Sequence, residues 1–542
     1  MRMALAQLNQ RLGDLAGNAG TLLAAIDEGR RAGASLVVTP ELSLSGYPPE
    51  DLVLRPAFLD ACASELAALA AEVSGVTAII GFPERHDGAR HNSLAVLRDG
   101  RVAAVYRKRR LPNYTVFDEE RYFEPGTAPC VFDVEGVRCG VIICEDCWFP
   151  EPAGESREAG AQVMIVINGS PYHLSQQAER RMQIDARVRE NGVPFVYVNR
   201  VGGQDELVFD GASFVTDAAG GIAQQLPAWH ETVAIAGFDG AQPRHVRGEL
   251  DSALEPNVYQ ALVMGVRDYV GKNRFPGVLL GLSGGVDSAL TLVVAVDALG
   301  HERVRAVMLP SKYSASISLE DAREMARIVG VRYDEIPIGP MFEAFLASLA
   351  DEFAGLPPDA AEENIQARIR GTVLMALSNK FGAIVLTTGN KSEMAVGYAT
   401  LYGDMAGGFA VLKDISKTLV YRLCHYRNTL GRVIPERIIT RPPSAELRAD
   451  QVDQDSLPPY DVLDAILEAY VERNVAPAKI AAKGFSAEDV RKVVRLIKVN
   501  EYKRRQAAVG IRITPRGFGK DWRYPITSAW NEWESVGSSS PA

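Results

Sequence analysis

Short apolar runs alternate with amphipathic stretches through the first half of the chain. The apolar runs predict buried strands, and in chain order they are MALAQLN, SLVVTPE, TAIIGF, GVIICED, VMIVING and PFVYVNR. Helical periodicity is clearest at residues 18–32, 57–73 and 174–191. Asp99-Gly100 and Glu135-Gly136 lie between β-rich runs and predict hairpin turns. Hairpins mixed with crossover helices favour a layered α/β sandwich over a simple Rossmann sheet.

The second half alternates helix and strand more regularly. Its pattern predicts helix 257–271, strand 278–282, helix 287–299, strand 303–308, helix 318–329, strand 331–337, helix 360–380 and the strand AIVLTTG. Such alternation is typical of a doubly wound parallel sheet. Residues 238–256 lose periodicity and gather Gly, Pro and charge. We therefore expect a first domain over 1–245, a linker over 246–256, a second domain over 257–528 and a polar tail over 529–542.

Composition narrows the classes of function. No long uncharged apolar stretch is present, and the first residues lack the layout of a signal peptide, so we expect neither a membrane span nor secretion. Six cysteines in 542 residues do not make a disulfide framework, which predicts a cytoplasmic protein. The net charge of −10 argues against nonspecific nucleic-acid binding. Small-molecule substrates are expected instead.

A glycine turn, Ser283-Gly284-Gly285-Val286-Asp287-Ser288, joins a predicted strand to a predicted helix. Gly284 and Gly285 let the backbone approach a ligand closely, and the amides and helix dipole favour a bound anion. A carboxylate beside phosphate is repulsive, so Asp287 indicates Mg²⁺ between them. The Walker A lysine is absent. The turn resembles the pyrophosphate loop of the ATP-pyrophosphatase family, whose members adenylate a substrate. A tight turn without a ligand is the alternative.

The strand AIVLTTG leads into Asn390-Lys391-Ser392-Glu393. Because this is again the carboxyl end of a strand, Glu393 can supply a second oxygen ligand to the Mg²⁺ that Asp287 implies. An anionic substrate also needs local cations in an acidic protein. Lys391, Lys413 and Lys417 can serve as these cations, or they are ordinary solvated lysines.

Three reactive side chains follow predicted strands in the first half: Glu41, Lys108 and Cys144. Strand ends are where α/β folds place chemistry. A cysteine nucleophile needs a base to take its proton and a cation to stabilise the oxyanion, and glutamate and lysine fill these roles. Cys144 and Cys147 also form a CxxC, which can indicate redox chemistry or half a zinc site. No second CxxC or paired histidines accompany it, so Cys147 is expected to be a small buried side chain.

The segments PELSLSGYPPED, KRRLPNYTVFDEERYFEPG and GVIICEDCW resemble the signature blocks of the nitrilase superfamily, in its glutaminase branch. The resemblance implies an αββα sandwich with Glu41 as general base, Lys108 stabilising the tetrahedral intermediate and Cys144 as nucleophile. It also implies a glutamine pocket built from Tyr114, Glu119, Ser170 and Gln176. The family usually carries Gly and then a basic residue where this chain has Ser175-Gln176. The substrate carboxylate is then held by Arg180 or Arg181, or more weakly, or the basic residue is not needed.

The segments ENIQARIRG, TTGNKSE, GYATLYGD, GGFAVLKDISKTLVYRL and PSAELR resemble the NAD synthetase family, from about residue 255 to 525. The resemblance implies ATP contacts from Ser283, Gly284, Gly285, Val286, Asp287, Ser288, Leu309 and Thr388. It implies Mg²⁺ at Asp287 and Glu393. For the dinucleotide substrate, deamido-NAD, it implies Asn364, Arg368, Glu393, Tyr398, Asp404 and Lys413. It further implies a homo-oligomer, dimer or higher, with helix 360–380 near the interface.

Together the two halves resemble the glutamine-dependent members of that family. The resemblance implies a ligase that takes ammonia from glutamine and amidates deamido-NAD through an adenylated intermediate, releasing AMP, pyrophosphate and glutamate. A dry passage for ammonia is expected, because ammonium is not nucleophilic. Two alternatives stay open. One is an amidase fused to a pyrophosphatase-loop enzyme acting on RNA, against which the acidic charge argues. The other is an inactive scaffold, against which the intact reactive residues argue.

Overall fold

The computed structural model describes residues 1–246, 248, 250–448, 451, 453–455, 457–530 and 532. The chain divides into two compact units, Met1–Ala253 and Leu254–Ala542. Most of the expected tail lies outside the described residues, as do positions 247 and 249 of the expected linker. No helix in the described ranges is long and apolar enough to cross a bilayer.

The first unit is built on two large sheets. Its strands are β1 (Arg2–Gln7), β2 (Leu36–Val38), β3 (Thr77–His86), β4 (Ala89–Arg98), β5 (Arg101–Arg107), β6 (Cys130–Val134), β7 (Val137–Ile143), β8 (Val163–Asn168), β9 (Phe195–Asn199), β10 (Val201–Gln204), β11 (Leu207–Asp210), β12 (Phe214–Thr216), β13 (Ile222–Gln225), β14 (Thr232–Asp239) and β15 (Gln242–Pro243). Its α-helices are α1 (Leu15–Arg31), α2 (Pro56–Glu72), α3 (Pro150–Glu158) and α4 (Gln176–Asn191). One sheet has the order β15-β14-β1-β2-β3-β4-β5 and the other β13-β12-β9-β8-β7-β6, with β10 and β11 as a separate ribbon.

Alternating side chains place the core between these sheets. Met3 and Leu5 of β1 share one apolar cluster with β7, β8 and β9 of the second sheet. Ala4 and Ala6 point the other way and pack against α1 and α2. This is the period of two expected of a strand buried on both faces. Helices α3 and α4 cover the second sheet. The predicted αββα sandwich is thereby confirmed.

The predicted hairpins are also confirmed. Asp99 and Gly100 connect β4 to β5 with φ of 49° and 77°, and Glu135 and Gly136 connect β6 to β7 with φ of 51° and 78°. Positive φ at both central residues matches the twist of the flanking strands. The predicted strand GVIICED is wrong beyond Ile143. Residues Cys144–Trp148 form a 3₁₀ helix instead.

The second unit is a parallel sheet flanked by helices. Its strands are β16 (Val278–Gly281), β17 (Val304–Met308), β18 (Arg332–Glu335), β19 (Ile384–Thr387) and β20 (Phe409–Ala410). Its α-helices are α5 (Leu254–Lys272), α6 (Val286–Leu299), α7 (Ser316–Val329), α8 (Gly339–Ser348), α9 (Ala360–Phe381), α10 (Lys391–Val396), α11 (Lys417–Thr429), α12 (Glu436–Thr440), α13 (Tyr460–Leu467), α14 (Pro477–Ala481), α15 (Ala487–Val499) and α16 (Glu501–Arg504). A π-helical turn, Glu468–Glu472, continues α13.

The order of this sheet, β18-β17-β16-β19-β20, confirms the predicted doubly wound fold, and every neighbouring pair is parallel. The chain leaves the central strand β16 through the glycine turn and enters α6. The direction of winding reverses between β16 and β19, which opens a crevice at the carboxyl ends of these strands. The sequence pattern did not predict α8 or the helices from α10 onward.

Candidate active sites

Glu41, Lys108 and Cys144 meet between the strand ends of the first unit. Lys108 Nζ lies 2.7 Å from Glu41 Oε1, and both side chains are fully buried. Glu41 and Lys108 also act electrostatically on the thiol of Cys144, which is buried. The sequence predicted these three as one site, and the structure brings them together.

A single carboxylate connects the turn of Cys144 to the segment that carries Lys108. Asp146 Oδ2 accepts from the backbone amide of Ile143 at 3.0 Å and from the Tyr106 hydroxyl at 2.8 Å. Its Oδ1 accepts from the amides of Arg109 and Arg110 at 3.0 and 2.8 Å. Sequence reasoning missed Asp146, which is buried and holds the two reactive segments in register.

Cys144 itself has an unusual backbone, with a φ of 45° at the junction of β7 and the 3₁₀ helix. A non-glycine residue in this region costs on the order of 1–3 kcal/mol and persists only where the surroundings enforce it. Here β7 and the bonds to Asp146 enforce it. The strain explains why the strand stops one residue before the thiol.

The carboxylate of Glu41 is fixed at both oxygens. Its Oε1 accepts from Asn92 Nδ2 at 2.7 Å and from Lys108, and its Oε2 accepts from the Gly169 amide at 2.7 Å. Asn92 and Gly169 were not predicted, because neither carries a recognisable motif. Their bonds orient Glu41 and leave it little freedom to rotate.

Glu119 completes this cluster. Its carboxylate lies 2.9 Å from Lys108 Nζ and accepts from the Tyr47 hydroxyl at 3.2 Å. Burial raises the pKa of Glu119 to about 7, helped by the nearby charge of Glu41 and opposed by Lys108. Burial by itself would lower the pKa of Lys108, but Glu119 and Glu41 outweigh it and hold that pKa well above its usual value. The site therefore keeps a permanent ammonium group.

The thiol of Cys144 is a weak acid in this setting. Burial raises its pKa well above the usual value, the charge of Glu41 raises it further, and Lys108 opposes both. The resting nucleophile is thus the neutral thiol, so attack requires a base that accepts its proton.

We expect Glu119→Gln to become more stable relative to the wild type as the pH rises from about 5 to about 8. With a folded pKa near 7, Glu119 keeps its proton while the unfolded chain has released it, so the wild type loses stability as the pH rises through this range. The amide variant has no such proton. Scanning calorimetry of the first unit's transition at several pH values measures the difference, and parallel pH profiles would contradict the raised pKa.

Ser170 and Gln176 of the predicted glutamine pocket are in direct contact. Gln176 Nε2 donates to Ser170 Oγ at 3.2 Å, and Arg180 Nε donates to the same oxygen at 3.0 Å. Arg180 is otherwise bound to Asp210 at 2.7 Å and to the Ser170 carbonyl at 2.7 Å. Its buried guanidinium supports Ser170 instead of reaching for a substrate.

Arg181 and Tyr114 contribute differently from expectation. Arg181 pairs with Asp185 at 2.8 Å and also donates to the Gly220 carbonyl. The hydroxyl of Tyr114 donates to Glu145, with 2.9 Å to Oε2. Glu145 directly follows Cys144, is largely buried and was not predicted. Tyr114 is thus hydrogen-bonded to the residue that follows the nucleophile in the chain.

We expect Gln176→Lys to lower the KM for glutamine by about tenfold to hundredfold if the bond forms well, because a charge-assisted bond to the substrate carboxylate is worth about 1.5–3 kcal/mol. Steady-state glutaminase kinetics measure this. Gln177→Lys is the matched control, since Gln177 donates to Asp210 and not to Ser170. A large rise in KM for the Gln176 variant alone would mean that its bond to Ser170 is itself required.

The glycine turn of the second unit has the geometry of an anion-binding loop. Gly284 has a φ of 78°, and a Cβ there would lie 2.5 Å from the Ser318 carbonyl oxygen, so only glycine fits. Ser288 Oγ lies 3.2 Å from Ser283 Oγ and donates to the Gly285 carbonyl at 3.0 Å. Gly285 caps α6 without a side chain, which leaves the helix N-terminus accessible to a ligand. The predicted ATP residues Leu309 and Thr388 directly follow β17 and β19 at the same sheet edge.

Asp287 and Glu393, the predicted metal ligands, converge on one ammonium group. Lys417 Nζ lies 2.5 Å from Asp287 Oδ2 and 3.3 Å from Glu393 Oε1. Asn390, the N-cap of α10, donates to Asp287 Oδ1 at 2.8 Å and accepts from the Glu393 amide at 3.0 Å. Burial raises the pKa of Glu393 to about 8, Lys417 opposes this, and Asp287 adds to it.

The three predicted lysines have separate environments. Lys417 belongs to the carboxylate pair just described. Lys391 is buried among Asp414 at 2.9 Å, Glu472 at 2.7 Å and Thr514 at 2.7 Å, so its charge is used inside the protein. Lys413 donates to the Ala508 carbonyl at 2.6 Å.

Three dinucleotide candidates gather around one loop. Asn364 Oδ1 accepts from Thr400 Oγ1 at 2.7 Å, and Asp404 Oδ1 accepts from the Thr400 amide at 2.8 Å. Arg368 Nε donates to the Leu401 carbonyl at 3.3 Å. Burial raises the pKa of Asp404 to about 6.

Tyr398 and Glu393 both interact electrostatically with Asp453, which was not predicted. Asp453 is buried and accepts from the Tyr460 hydroxyl at 2.7 Å. These contacts link the predicted metal ligand to a candidate for the dinucleotide.

The surroundings of the CxxC are as follows in the described part of the chain. Among the described residues, no group of three or more His, Cys, Asp or Glu side chains is arranged to hold a metal ion. All six cysteines are free thiols, and Cys147 is buried. Burial raises the pKa of Cys147, as it does that of Cys144.

Two family models together match most of the chain. The carbon-nitrogen hydrolase family matches residues 2–247, and the NAD synthase family matches residues 258–507. A glutamine-dependent NAD(+) synthetase of Acinetobacter baylyi is 49% identical over 98% of both chains. One of Thermotoga maritima is 45% identical, over 98% of this chain and 99% of the relative.

A solved structure covers nearly the whole chain. Glutamine-dependent NAD+ synthetase from Acinetobacter baumannii, in complex with ADP, is 47% identical, with a TM-score of 0.80 over 98% of this chain and 99% of that one. The enzyme from Cytophaga hutchinsonii, at 22% identity and a TM-score of 0.85 over 99% and 98% of the two chains, shares the fold.

Proposed function

The chain belongs to the glutamine-dependent NAD(+) synthetases, and on that premise we propose how its own residues carry out the reaction. The enzyme amidates deamido-NAD to NAD, with ammonia from glutamine, and consumes ATP through an adenylated intermediate. AMP, pyrophosphate and glutamate are released. The identity of 49% over 98% of the chain carries this conclusion.

In the first unit, Cys144 acts as the nucleophile. As its sulfur attacks the side-chain amide carbon of glutamine, Glu41 accepts the thiol proton and passes it to the departing ammonia. A thioester to Cys144 remains, and Glu41 then activates water to release glutamate. Two facts support these roles. The thiol is neutral at rest, and Asn92 and Gly169 hold the Glu41 carboxylate in one orientation.

Lys108 stabilises the oxyanion that forms at the substrate carbon. Glu41 and Glu119 keep its ammonium protonated, although the group is fully buried. A permanent charge in a dry site interacts more strongly with a developing oxyanion than it would in water. Glu119 therefore contributes to catalysis by keeping Lys108 charged. Tyr114, Ser170 and Gln176 bind the glutamine.

In the second unit, the loop from Ser283 to Ser288 binds the phosphates of ATP. Support comes from the open N-terminus of α6 and from the space that only a glycine leaves at position 284. The nicotinate carboxylate of deamido-NAD attacks the α-phosphate and displaces pyrophosphate. Ammonia then attacks the acyl-adenylate carbon and displaces AMP. Leu309 and Thr388 belong to the ATP site, and Asn364, Arg368, Tyr398, Asp404 and Lys413 are the candidates for the dinucleotide.

Asp287 and Glu393 would hold Mg²⁺. Their carboxylates converge on one cation already, the ammonium of Lys417, which is what a divalent cation site requires. Mg²⁺ is commonly bound by one or two carboxylates, with phosphate oxygens and water completing the shell. When bound, the metal would neutralise charge on the leaving pyrophosphate.

The enzyme assembles as a homo-oligomer through the second unit. Helix α9 and the loop beside it carry apolar side chains in solvent, among them Met375 (37% exposed) and Tyr402 (65% exposed), which line a cavity of about 510 Å³. Exposed apolar area of this kind favours association. Sedimentation velocity of the wild type and of Met375→Asp tests the assembly.

We also place the enzyme in the cytoplasm, where its six free thiols stay reduced.

One assay tests the function. The enzyme is supplied with MgATP, glutamine and deamido-NAD, and the products are identified. NAD, AMP and pyrophosphate are expected in equal amounts, together with glutamate. ADP and phosphate in place of AMP and pyrophosphate would overturn the adenylation step.

A further inference from the structure

The proposed synthetase step brings two anions together, the nicotinate carboxylate and the α-phosphate of ATP. Like charges at contact distance repel strongly where water is excluded, so the site needs cations that face the reacting atoms. Two nearby lysines have protein partners: Lys417 pairs with Asp287 and Glu393, and Lys391 with Asp414 and Glu472. Beside the proposed Mg²⁺, a cation that faces the point where the two substrates meet would lower this repulsion further.

Arg370 on α9 lies at the appropriate edge of the sheet. Its Nε donates to the carbonyl oxygen of Leu309 at 3.0 Å. Leu309 directly follows β17, so this bond places the guanidinium at the carboxyl end of the sheet, in line with the glycine turn after β16. Arg368, two residues earlier on the helix, is exposed and bonds to the Leu401 carbonyl instead.

The charge of Arg370 is poorly compensated by the protein. Burial lowers its pKa, and the carboxylates of Glu446 and Asp404 offset this only in part. Among the described residues, no ion pair joins its guanidinium to either carboxylate. Arg370 is partly buried, and a largely desolvated cation without a paired carboxylate is costly unless an anion binds to it.

The two carboxylates that act on Arg370 also place it between the phosphate loop and the loop of the dinucleotide candidates. Glu446 accepts from the Ala315 amide at 3.1 Å and from the hydroxyl of Ser318. The Ser318 carbonyl is the group that excludes a side chain at Gly284 of the phosphate loop. Asp404, on the other side, belongs to the loop that gathers the dinucleotide candidates.

We propose that Arg370 contacts the α-phosphate of ATP and stabilises the charge that builds up as the carboxylate attacks it. This assignment rests on the proposed function of the second unit. In the step, the bond from a carboxylate oxygen to phosphorus forms, the bond from phosphorus to the bridging oxygen of pyrophosphate breaks, and pyrophosphate takes that electron pair. A guanidinium presents several donors in one plane and matches phosphate oxygens well.

Arg370→Gln tests the proposal in ammonia-dependent NAD formation, where the first unit is not needed. We expect kcat/KM for ATP to fall about tenfold to hundredfold. Binding of α,β-methylene-ATP, measured by calorimetry, should weaken as well. Glutamine hydrolysis should be unchanged. The matched control is Arg267→Gln, because Arg267 is an exposed helical arginine whose Nε donates to the Ala298 carbonyl at 3.4 Å, near the other end of α6.

Equal kinetics for the Arg370 and Arg267 variants would overturn the proposal, as would unchanged binding of the analogue. If Arg370→Gln failed to fold, Arg370→Lys would decide. It keeps the charge but lacks the planar set of donors in which Nε bonds the Leu309 carbonyl while the terminal nitrogens face a phosphate, so about tenfold loss is expected and full activity would refute the role. A wild-type enzyme that forms no NAD would instead refute the function itself.

Discussion

Cys144→Ala is expected to lower glutamine-dependent NAD formation by several orders of magnitude, because a covalent route disappears with the sulfur. The same variant should still form NAD when ammonium salt replaces glutamine. The thiol lies in the first unit, and the loop from Ser283 to Ser288 lies in the second. Measuring NAD formation with each nitrogen source separates the two activities.

Cys147→Ala is the matched control for this variant. Cys147 lies in the same 3₁₀ helix, is buried, and has a pKa that burial raises. Under the proposed mechanism only Cys144 is required, whereas a redox or metal role would need both cysteines. Equal loss from the two substitutions would overturn the assignment. A Cys144→Ala protein that binds ATP normally but fails with ammonium would overturn it too.

The position of the glutaminase site could be predicted because it depends on local patterns. Apolar runs mark buried strands, and Lys108 and Cys144 directly follow β5 and β7. Strands that lie near one another in the sheets bring such ends together, so a nucleophile, a base and a cation at strand ends predict one site. The fold class follows from the same patterns.

The residues that orient the site could not be predicted in this way. Asn92, Gly169 and Asp146 carry no motif, and their partners lie elsewhere in the chain. Glu41, for example, accepts from the Gly169 amide, 128 positions away. Periodicity reports which face of an element is buried, and it does not report which polar groups meet inside the fold.

The lysines of the second unit show the same limit. Lys391 and Lys417 each begin a helix and both are fully buried, so their sequence surroundings look alike. Their roles differ because Lys391 meets Asp414 and Glu472, while Lys417 meets Asp287 and Glu393. Only the tertiary fold determines which acidic side chains lie beside each lysine. The φ of Cys144 is another case, since the apolar pattern continues past the point where the strand ends.

Asp287→Asn and Glu393→Gln are expected to abolish NAD formation with either nitrogen source, by about 10³-fold or more, since a bound metal ion contributes several kcal/mol to such a transition state. Both substitutions keep the size of the side chain and remove the charge that would face Mg²⁺. Glutamine hydrolysis by the first unit should persist. Synthesis is measured over a range of Mg²⁺ concentrations, and binding of α,β-methylene-ATP is measured with and without the metal.

Asp297→Asn is the control for this pair, because Asp297 lies on the same helix as Asp287 but pairs with Arg427 at 2.7 Å and accepts from the Tyr259 hydroxyl at 2.6 Å. It should keep near-normal synthesis. If Asp287→Asn and Glu393→Gln also kept near-normal turnover at limiting Mg²⁺, these carboxylates would not be the metal ligands. Their convergence on Lys417 would then serve to position that ammonium group, and analogue binding would lose nothing when Mg²⁺ is removed. Loss of Mg²⁺-dependent analogue binding in both variants, together with lost synthesis, is the result that the geometry favours, because both carboxyl groups face one cation beside a phosphate loop. A bound Mg²⁺ would favour the ionised form of Glu393, whose pKa burial raises to about 8.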